Sequence, residues 1–430
     1  MAHLFRRRSG LQLDRKALSK PLSGLRRQDR DLPAVAGRLE DFHDAEEAFL
    51  HLDAHQEGGL ACTNQKLLEQ QRLAILDLLK DFGKNLLMGN LNLINVSLPV
   101  KMFEPRSYLQ KLADAWLYTN WLQAAAATKD PVERLRCVAT WFVAGLQHVF
   151  QSWRKPFNPI LGETWQAHLD DGTSIFLEQI SHHPPVSAFQ LIGPGAAFQF
   201  NGVSQPEVAY KANAIRTTAR GVRHVSFPDG QRIEVSYPYY ILRGILATAM
   251  PRGDVVGVAR FVDHENRLCC EVTCGRQQGT AHWLLSRSEA LRGTIFRFRS
   301  TNAELEARSN SVPAKPKSSF SSFSNAFTSV LSVSSSGRSP PELVPEEQLA
   351  SCSGNWLSHL DWDGRRYWTL AETEARTWQV PKEALPSDAR ERADLVALGR
   401  GDLKAAQAAK EALETRQRAD AKLRKDAGRH

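Results

Sequence analysis

No stretch of about 18 uninterrupted apolar residues occurs in the 430-residue chain, so nothing in it reads as a membrane-spanning helix. The nearest run, Cys137 to Phe150, is broken by Thr140, Gln147 and His148 and predicts a buried helix. Cysteine is sparse. The six present (Cys62, Cys137, Cys269, Cys270, Cys274, Cys352) are irregularly spaced, which argues for a reducing compartment and against a disulfide framework. Cys269, Cys270 and Cys274 lack metal-finger spacing and are expected to be buried strand thiols. Positive charge is also scarcer than the formal net of +8 suggests. The first 30 residues hold nine Lys or Arg against Asp14 and Asp29, so the other 400 net only +1. A near-neutral body argues against nucleic acid as a partner. The basic arm fits an anionic lipid surface, an organelle-targeting segment or a solvated tail.

What is present is ordinary globular material, 42% hydrophobic and 24% charged, ample for a sizeable core. After the arm, Asp41-Phe42-His43-Asp44-Ala45-Glu46-Glu47 admits two readings. One is a helix start, with Asp41 as N-cap and Asp44 and Glu46 in the first turn. The other is a short docking motif of one aromatic among acids. Phe42, Asp44, Ala45 and Glu47 resemble the FFAT motif that binds VAP proteins of the endoplasmic reticulum, with Asp41 and His43 departing from it.

Leu73, Leu76, Leu79, Phe82 and Leu86 recur at helical spacing over residues 72–88. A core-packing helix accounts for them; so does a lid over an apolar cavity, hinged by Gly83 and Gly89. Leu109, Leu112, Trp116 and Trp121 predict a further helix, and Asp130-Pro131 opens another. From residue 173 to about 300, alternating segments such as Arg232 to Tyr237 and Val255 to Phe261 are separated by turns such as Pro228-Asp229-Gly230. They predict a meandering antiparallel sheet curled into a barrel. Thirteen serines between Ser309 and Ser339 mark a flexible insertion over 309–347. Phe320, Phe323, Phe327 and Leu331 also fit a helix that enters loosely packed bilayers. Order is expected to return at Gly354, and Leu403 to Arg424 is rich in helix formers.

Two constellations carry chemistry. In Glu178-Gln179-Ile180-Ser181-His182-His183-Pro184-Pro185, paired imidazoles follow an apolar strand and are stiffened by two prolines. Lys410, Glu414 and Arg418 stand four residues apart on the terminal helix, where Glu414 can hold two cations apart. A phosphomonoester carries up to two charges and three acceptor oxygens. Lys155 as a point charge, Arg418 as a fork and both imidazoles would satisfy it. Hydrolysis is disfavoured, since Ser181 and His182 would point to opposite strand faces and no Gly-x-Ser-x-Gly elbow surrounds the serine. Metal binding fails for want of a third ligand placed by sequence.

The runs Lys155-Pro156-Phe157-Asn158-Pro159-Ile160-Leu161-Gly162-Glu163 and Glu178 to Pro185 resemble the two signatures of oxysterol-binding-protein-related lipid transfer proteins. Leu385 to Arg390, Gly401 to Leu403, Lys410, Leu413-Glu414 and Gln417-Arg418 also resemble the family's C-terminal segment. The resemblance covers roughly residues 72–308 and 350–425. It implies an α+β fold: a near-complete antiparallel β-barrel around a hydrophobic lipid tunnel, with an N-terminal amphipathic lid and helices and a C-terminal helical segment. It places phosphatidylinositol 4-phosphate headgroup contacts on Lys155, Asn158, His182, His183, Lys410, Glu414 and Arg418. A second lipid, sterol or phosphatidylserine, would compete for the tunnel and be exchanged between membranes at contact sites. A lipid sensor or scaffold without net transfer shares the same barrel. The implied organisation is a basic, largely disordered arm over 1–71 and a lipid-binding domain over 72–430, interrupted at 309–347. No cofactor is implied. The expected location is cytoplasmic and peripheral at membranes, the reticulum included.

Overall fold

The computed structural model describes residues 50–82, 98–211, 214–245, 250–275, 288–299 and 343–428. All belong to one compact unit, Ala45–His430. The FFAT-like residues Phe42, Asp44, Ala45 and Glu47, the lid residue Leu86 and the serine-rich segment through residue 342 lie outside the described residues.

The described strands, in chain order, are β1 (Leu60–Ala61), β2 (Phe103–Ser107), β3 (Lys155–Phe157), β4 (Thr164–His168), β5 (Ser174–His182), β6 (Pro185–Ile192), β7 (Gln199–Lys211), β8 (Ala214–Arg220) and β9 (Arg223–Ser226). They continue with β10 (Arg232–Ser236), β11 (Tyr239–Arg243), β12 (Arg252–Asp263), β13 (Leu268–Cys274), β14 (Ala290–Arg299), β15 (Val344–Asn355), β16 (His359–Trp362) and β17 (Arg365–Thr369). The described helices are α1 (Gln65–Phe82), α2 (Tyr108–Ala113), α3 (Asn120–Ala127), α4 (Pro131–Gly145), α5 (Ala393–Gly399) and α6 (Leu403–Asp426).

Fifteen strands form one antiparallel sheet running from β17 to β4, while β2 and β3 pair in parallel by themselves. Period-two alternation builds it: β5 buries Ile175, Leu177 and Gln179 and turns Phe176 and Glu178 outward. Strand β12 changes partner midway, pairing with β11 through Val256 and with β10 from Arg260 onward. Gly257 stands between these registers at φ +110°, a conformation that side chains rarely adopt. Among the described residues no pairing joins β17 to β4, so hydrogen bonds leave the sheet open at that seam.

The sheet curls around α4. Asp130 caps this helix by accepting from the Val132 amide at 3.0 Å, and Pro131 opens it as expected. Arg134, Leu135 and Cys137 through Gly145 are all buried. Trp141 meets Phe200 of β7 at 4.8 Å, and Phe142 meets Phe261 of β12 at 5.6 Å. Trp362 of β16 donates to the Thr140 hydroxyl at 3.2 Å. One helix thus touches strands far apart in the sheet order, which requires a curved sheet. All six cysteines are buried free thiols, with Cys269, Cys270 and Cys274 on β13 as expected.

Several expectations need correction. The ordered body begins before residue 72: β1 pairs with β12, and Leu60, Ala61, Cys62 and Leu68 are buried. Strand β15 also runs from Val344, ten residues before the Gly354 expected to open the ordered segment. The first half of β15 pairs only with β14, and an edge tolerates Pro345 and Glu346. The helix expected through Trp121 is broken after Ala113 and resumes at Asn120. Trp116 packs on Phe189 and Phe200, whereas Trp121 stacks on Tyr367, and one straight helix cannot serve both walls.

Helix α1 also packs through a different stripe from the leucines. Leu68, Gln71 and Ala74 are buried, whereas Leu73 and Leu76 are 54% and 50% exposed. Small Ala74 permits close approach to the cluster containing Val100 and Met102, and Lys101 pairs with Asp77 at 2.9 Å. Leu79 and Phe82 continue along the helix.

Candidate functional site

Strands β2 and β3 set the floor of the site. Their pairing places Phe103 beside Lys155 and Ser107 beside Phe157, and the two phenylalanine rings lie 4.7 Å apart. The Lys155 ammonium stands 4.9 Å from the Phe103 ring centroid, and that of Lys410, arriving on α6, stands 5.7 Å from the same ring. An aromatic quadrupole attracts each cation, but it does not cancel their mutual repulsion. Lys155 donates to the Asn158 side-chain oxygen at 2.5 Å, and Lys410 to Glu414 at 2.5 Å. Burial, then Lys410 and then Arg392 push the Lys155 ammonium down to about 8.

The loop between β3 and β4 is fastened from beneath by buried charge. Glu163 accepts from the Ile160 amide at 3.0 Å, from the Ser107 hydroxyl and from Arg392 at 2.7 Å. Arg392 also donates to the Asn158 carbonyl at 2.8 Å and pairs with Asp394 at 2.7 Å. Glu163 and Asp394 are almost fully buried, so each ion depends on these partners to offset lost hydration.

The same loop holds the first histidine of the pair. Gly162 donates to the Gln179 carbonyl, and Gln179 returns a bond to Glu163, each at 2.9 Å. Three residues further along β5, the His182 Nδ1 lies 3.2 Å from the Pro159 carbonyl oxygen. That acceptor requires the proton on Nδ1, which leaves Nε2 a lone pair in the neutral ring. The His182 and His183 rings stand 4.6 Å apart, edge to face. The alternation expected for strand neighbours therefore stops at the end of β5, where the His183–Pro184 peptide is cis. Burial and His183 lower the His182 pKa, only partly opposed by the Pro159 contact.

Of the seven residues singled out in sequence, Lys155, Asn158, Lys410 and Glu414 gather around Phe103, His182 attaches to the loop that carries Asn158, and His183 stands against His182. Arg418 does not share the buried stripe. Each four-residue step overshoots a helical turn by about 40°, so two steps carry Arg418 to an exposed flank, where it donates to Thr415 at 3.4 Å. Phe103 and Arg392 escaped sequence reasoning. No spacing rule links residue 103 to 155 or 410; the parallel pairing of β2 with β3 makes the first link and α6 the second.

This fold is found in solved structures. The Osh3 ORD in complex with PI(4)P from Saccharomyces cerevisiae matches with a TM-score of 0.55 at 20% identity, covering 83% of this chain and 84% of that one. The Osh1 ORD domain in complex with ergosterol matches with a TM-score of 0.57 at 20% identity, covering 90% of this chain and 85% of that one. The chain belongs to the oxysterol-binding protein family, whose profile, described as Oxysterol-binding protein, matches residues 86–430. Oxysterol-binding protein 9 of Dictyostelium discoideum is 30% identical over 375 residues, 85% of this chain and 78% of that protein. Human oxysterol-binding protein-related protein 1 is 36% identical over 132 residues, 30% of this chain and 14% of that protein, so only a small part of the longer protein is matched. Among the described residues no helix is long and apolar enough to cross a membrane.

Proposed function

We propose that the protein captures phosphatidylinositol 4-phosphate and a second lipid, sterol or phosphatidylserine, in one tunnel and exchanges them between membranes at contact sites. One observation carries this reading: two lysines share one aromatic ring, and the loop that follows the strand of one of them also holds His182. Such a concentration of donors and positive charge suits a phosphomonoester. Neutral His182 would gain a proton as the dianion arrives and become a second donor. Lys155, Asn158, His182, His183, Lys410, Glu414 and Arg418 are the headgroup contacts in this reading. It is supported by family membership and by relatives of the same fold crystallised with PI(4)P and with sterols. The basic arm and the FFAT-like motif, acting on anionic membrane and on VAP-type reticulum proteins, would bring the body to its membranes.

The test is transfer between liposomes carrying two differently labelled lipids. His182→Ala with His183→Ala is expected to reduce phosphatidylinositol 4-phosphate extraction by well over tenfold, the scale of two lost charge-assisted hydrogen bonds, while second-lipid uptake stays unchanged. Loss of neither lipid, or equal loss of both, would overturn the assignment.

A further inference from the structure

Arg392 stands immediately before α5, and its buried guanidinium makes four hydrogen bonds. The Nε and Nη2 atoms grip Asp394 as a fork, at 3.1 and 2.7 Å. The Nη1 atom turns the other way, to the Asn158 carbonyl at 2.8 Å and to Glu163 at 2.7 Å. Asp394 thereby fixes the direction from which the guanidinium meets the loop between β3 and β4.

The pairing of Arg392 with Glu163 does more than neutralise charge, because the two side chains hold successive peptide units. Arg392 holds the unit between Asn158 and Pro159 by its carbonyl. Glu163 holds the next unit, between Pro159 and Ile160, by its N–H at 3.0 Å. The carbonyl of that second unit is the one that meets the His182 Nδ1 at 3.2 Å. Proline fixes φ at residue 159, so a single soft dihedral, ψ, relates the two planar units. With both units gripped, the direction of the Pro159 carbonyl is set. That direction decides where His182 carries its proton. A neutral imidazole in water prefers the Nε2–H form, but an acceptor facing Nδ1 reverses the preference and leaves the Nε2 lone pair open to an incoming proton.

We propose that Arg392 is a positioning residue: through the backbone of Asn158, Pro159 and Ile160 it fixes the tautomer and direction of His182, so the headgroup site is set before a lipid arrives. The inference deepens the phosphoinositide reading above and rests on it. Lysine at this position would keep the charge that Glu163 and Asp394 require. Its ammonium lacks the planar fork that holds Asp394 on one side and the Asn158 carbonyl on the other.

The experiment compares Arg392→Lys with the wild type, each as the full chain, by two readouts. One is extraction of phosphatidylinositol 4-phosphate from phosphatidylcholine vesicles, counted per folded molecule. The other is the nitrogen-15 shifts of the histidine rings at a pH where His182 is neutral, its signal being the one that His182→Ala removes. Arg392→Lys is expected to weaken extraction about tenfold, the scale of one lost charge-assisted hydrogen bond. It should also move His182 from the Nδ1–H form toward the Nε2–H form. Arg390→Lys is the control, because Arg390 pairs with Asp388 at 3.0 Å in the same segment; both readouts stay at the wild-type level in it. If Arg392→Lys does not fold, Asp394→Asn, which loosens the fork, takes its place with the same expected direction. Wild-type extraction or an unmoved His182 tautomer in the folded variant, where the double histidine variant fails to extract, would overturn the positioning role and leave the wider reading standing. Equal losses from Arg392→Lys and Arg390→Lys would reduce the effect to a loosened segment and also overturn it. Normal extraction by the double histidine variant would remove the phosphoinositide reading, and this inference with it.

Discussion

Lys155 holds its charge at a cost, because burial and two neighbouring cations favour the neutral amine. Its folded pKa of about 8 lies below the ordinary 10.5, so between those values the unfolded chain binds more protons than the folded one. Stability of the lipid-free protein from this group is therefore lowest below about pH 8 and recovers as pH rises toward 10.5. A bound phosphate reverses the preference by favouring the ammonium. Affinity for phosphatidylinositol 4-phosphate should accordingly fall as pH rises through about 8, opposite in slope to the lipid-free stability. Vesicle extraction measured from about pH 7 to 9 checks this. Lys155→Arg, whose guanidinium stays charged with a pKa above about 12, should show a flatter profile across the range. An unchanged slope in that variant would assign the effect to another group. At this scale the individual donors were legible, because Lys155, His182 and His183 stand in dense local runs. Their setting was not. Phe103 meets Lys155 through a strand pairing and Lys410 through helix α6, and Arg392 meets Glu163 across 229 positions.

Elements were legible where one period dominated. Strand β5 alternates cleanly, α4 carries its cap and proline, and α6 is built of strong helix formers. On helix α1 the core-packing alternative does not hold for Leu73 and Leu76, because a leucine-rich helix offers more than one apolar stripe, and small Ala74 lies on the one that packs closely. The path from α2 to α3 breaks where α4 passes nearby: a Cβ at Gly145 would fall on the Ala115 carbonyl oxygen. Gly145→Ala should therefore overpack this crossing and cost about 1–3 kcal/mol, read as a lower thermal midpoint. The glycine is helical and has no positive φ to lose, so crowding is the only expected cause. An unchanged or higher midpoint would mean that the turn after α2 yields freely and that the helix simply prefers alanine.

For the whole molecule, charge is divided unequally: the first 30 residues net +7, from nine Lys or Arg against Asp14 and Asp29. Basic residues near an anionic bilayer contribute on the order of 1 kcal/mol each. Deleting residues 1–30 should weaken binding to phosphatidylserine-containing vesicles by at least about tenfold at low salt, with the difference shrinking as salt rises. Lipid extraction per bound molecule should not change. Phe42→Ala should abolish pull-down of VAP without altering vesicle binding. Persistence of both interactions in these two variants would remove the arm from the targeting scheme. The general architecture was legible at this scale, since alternating segments separated by turns define a meandering sheet. The wrapping of that sheet around α4 was not, because it depends on aromatic contacts between segments far apart in the chain.

The bond between Glu163 and Arg392 also fixes an order of events during synthesis. A nascent chain emerging from the ribosome displays Lys155 and both histidines long before Arg392 and Lys410 exist, so the site is complete only once more than 200 further residues have been added. Stopping synthesis between β17 and α5 would spare the described strands of the sheet and still remove Arg392 and Lys410 together.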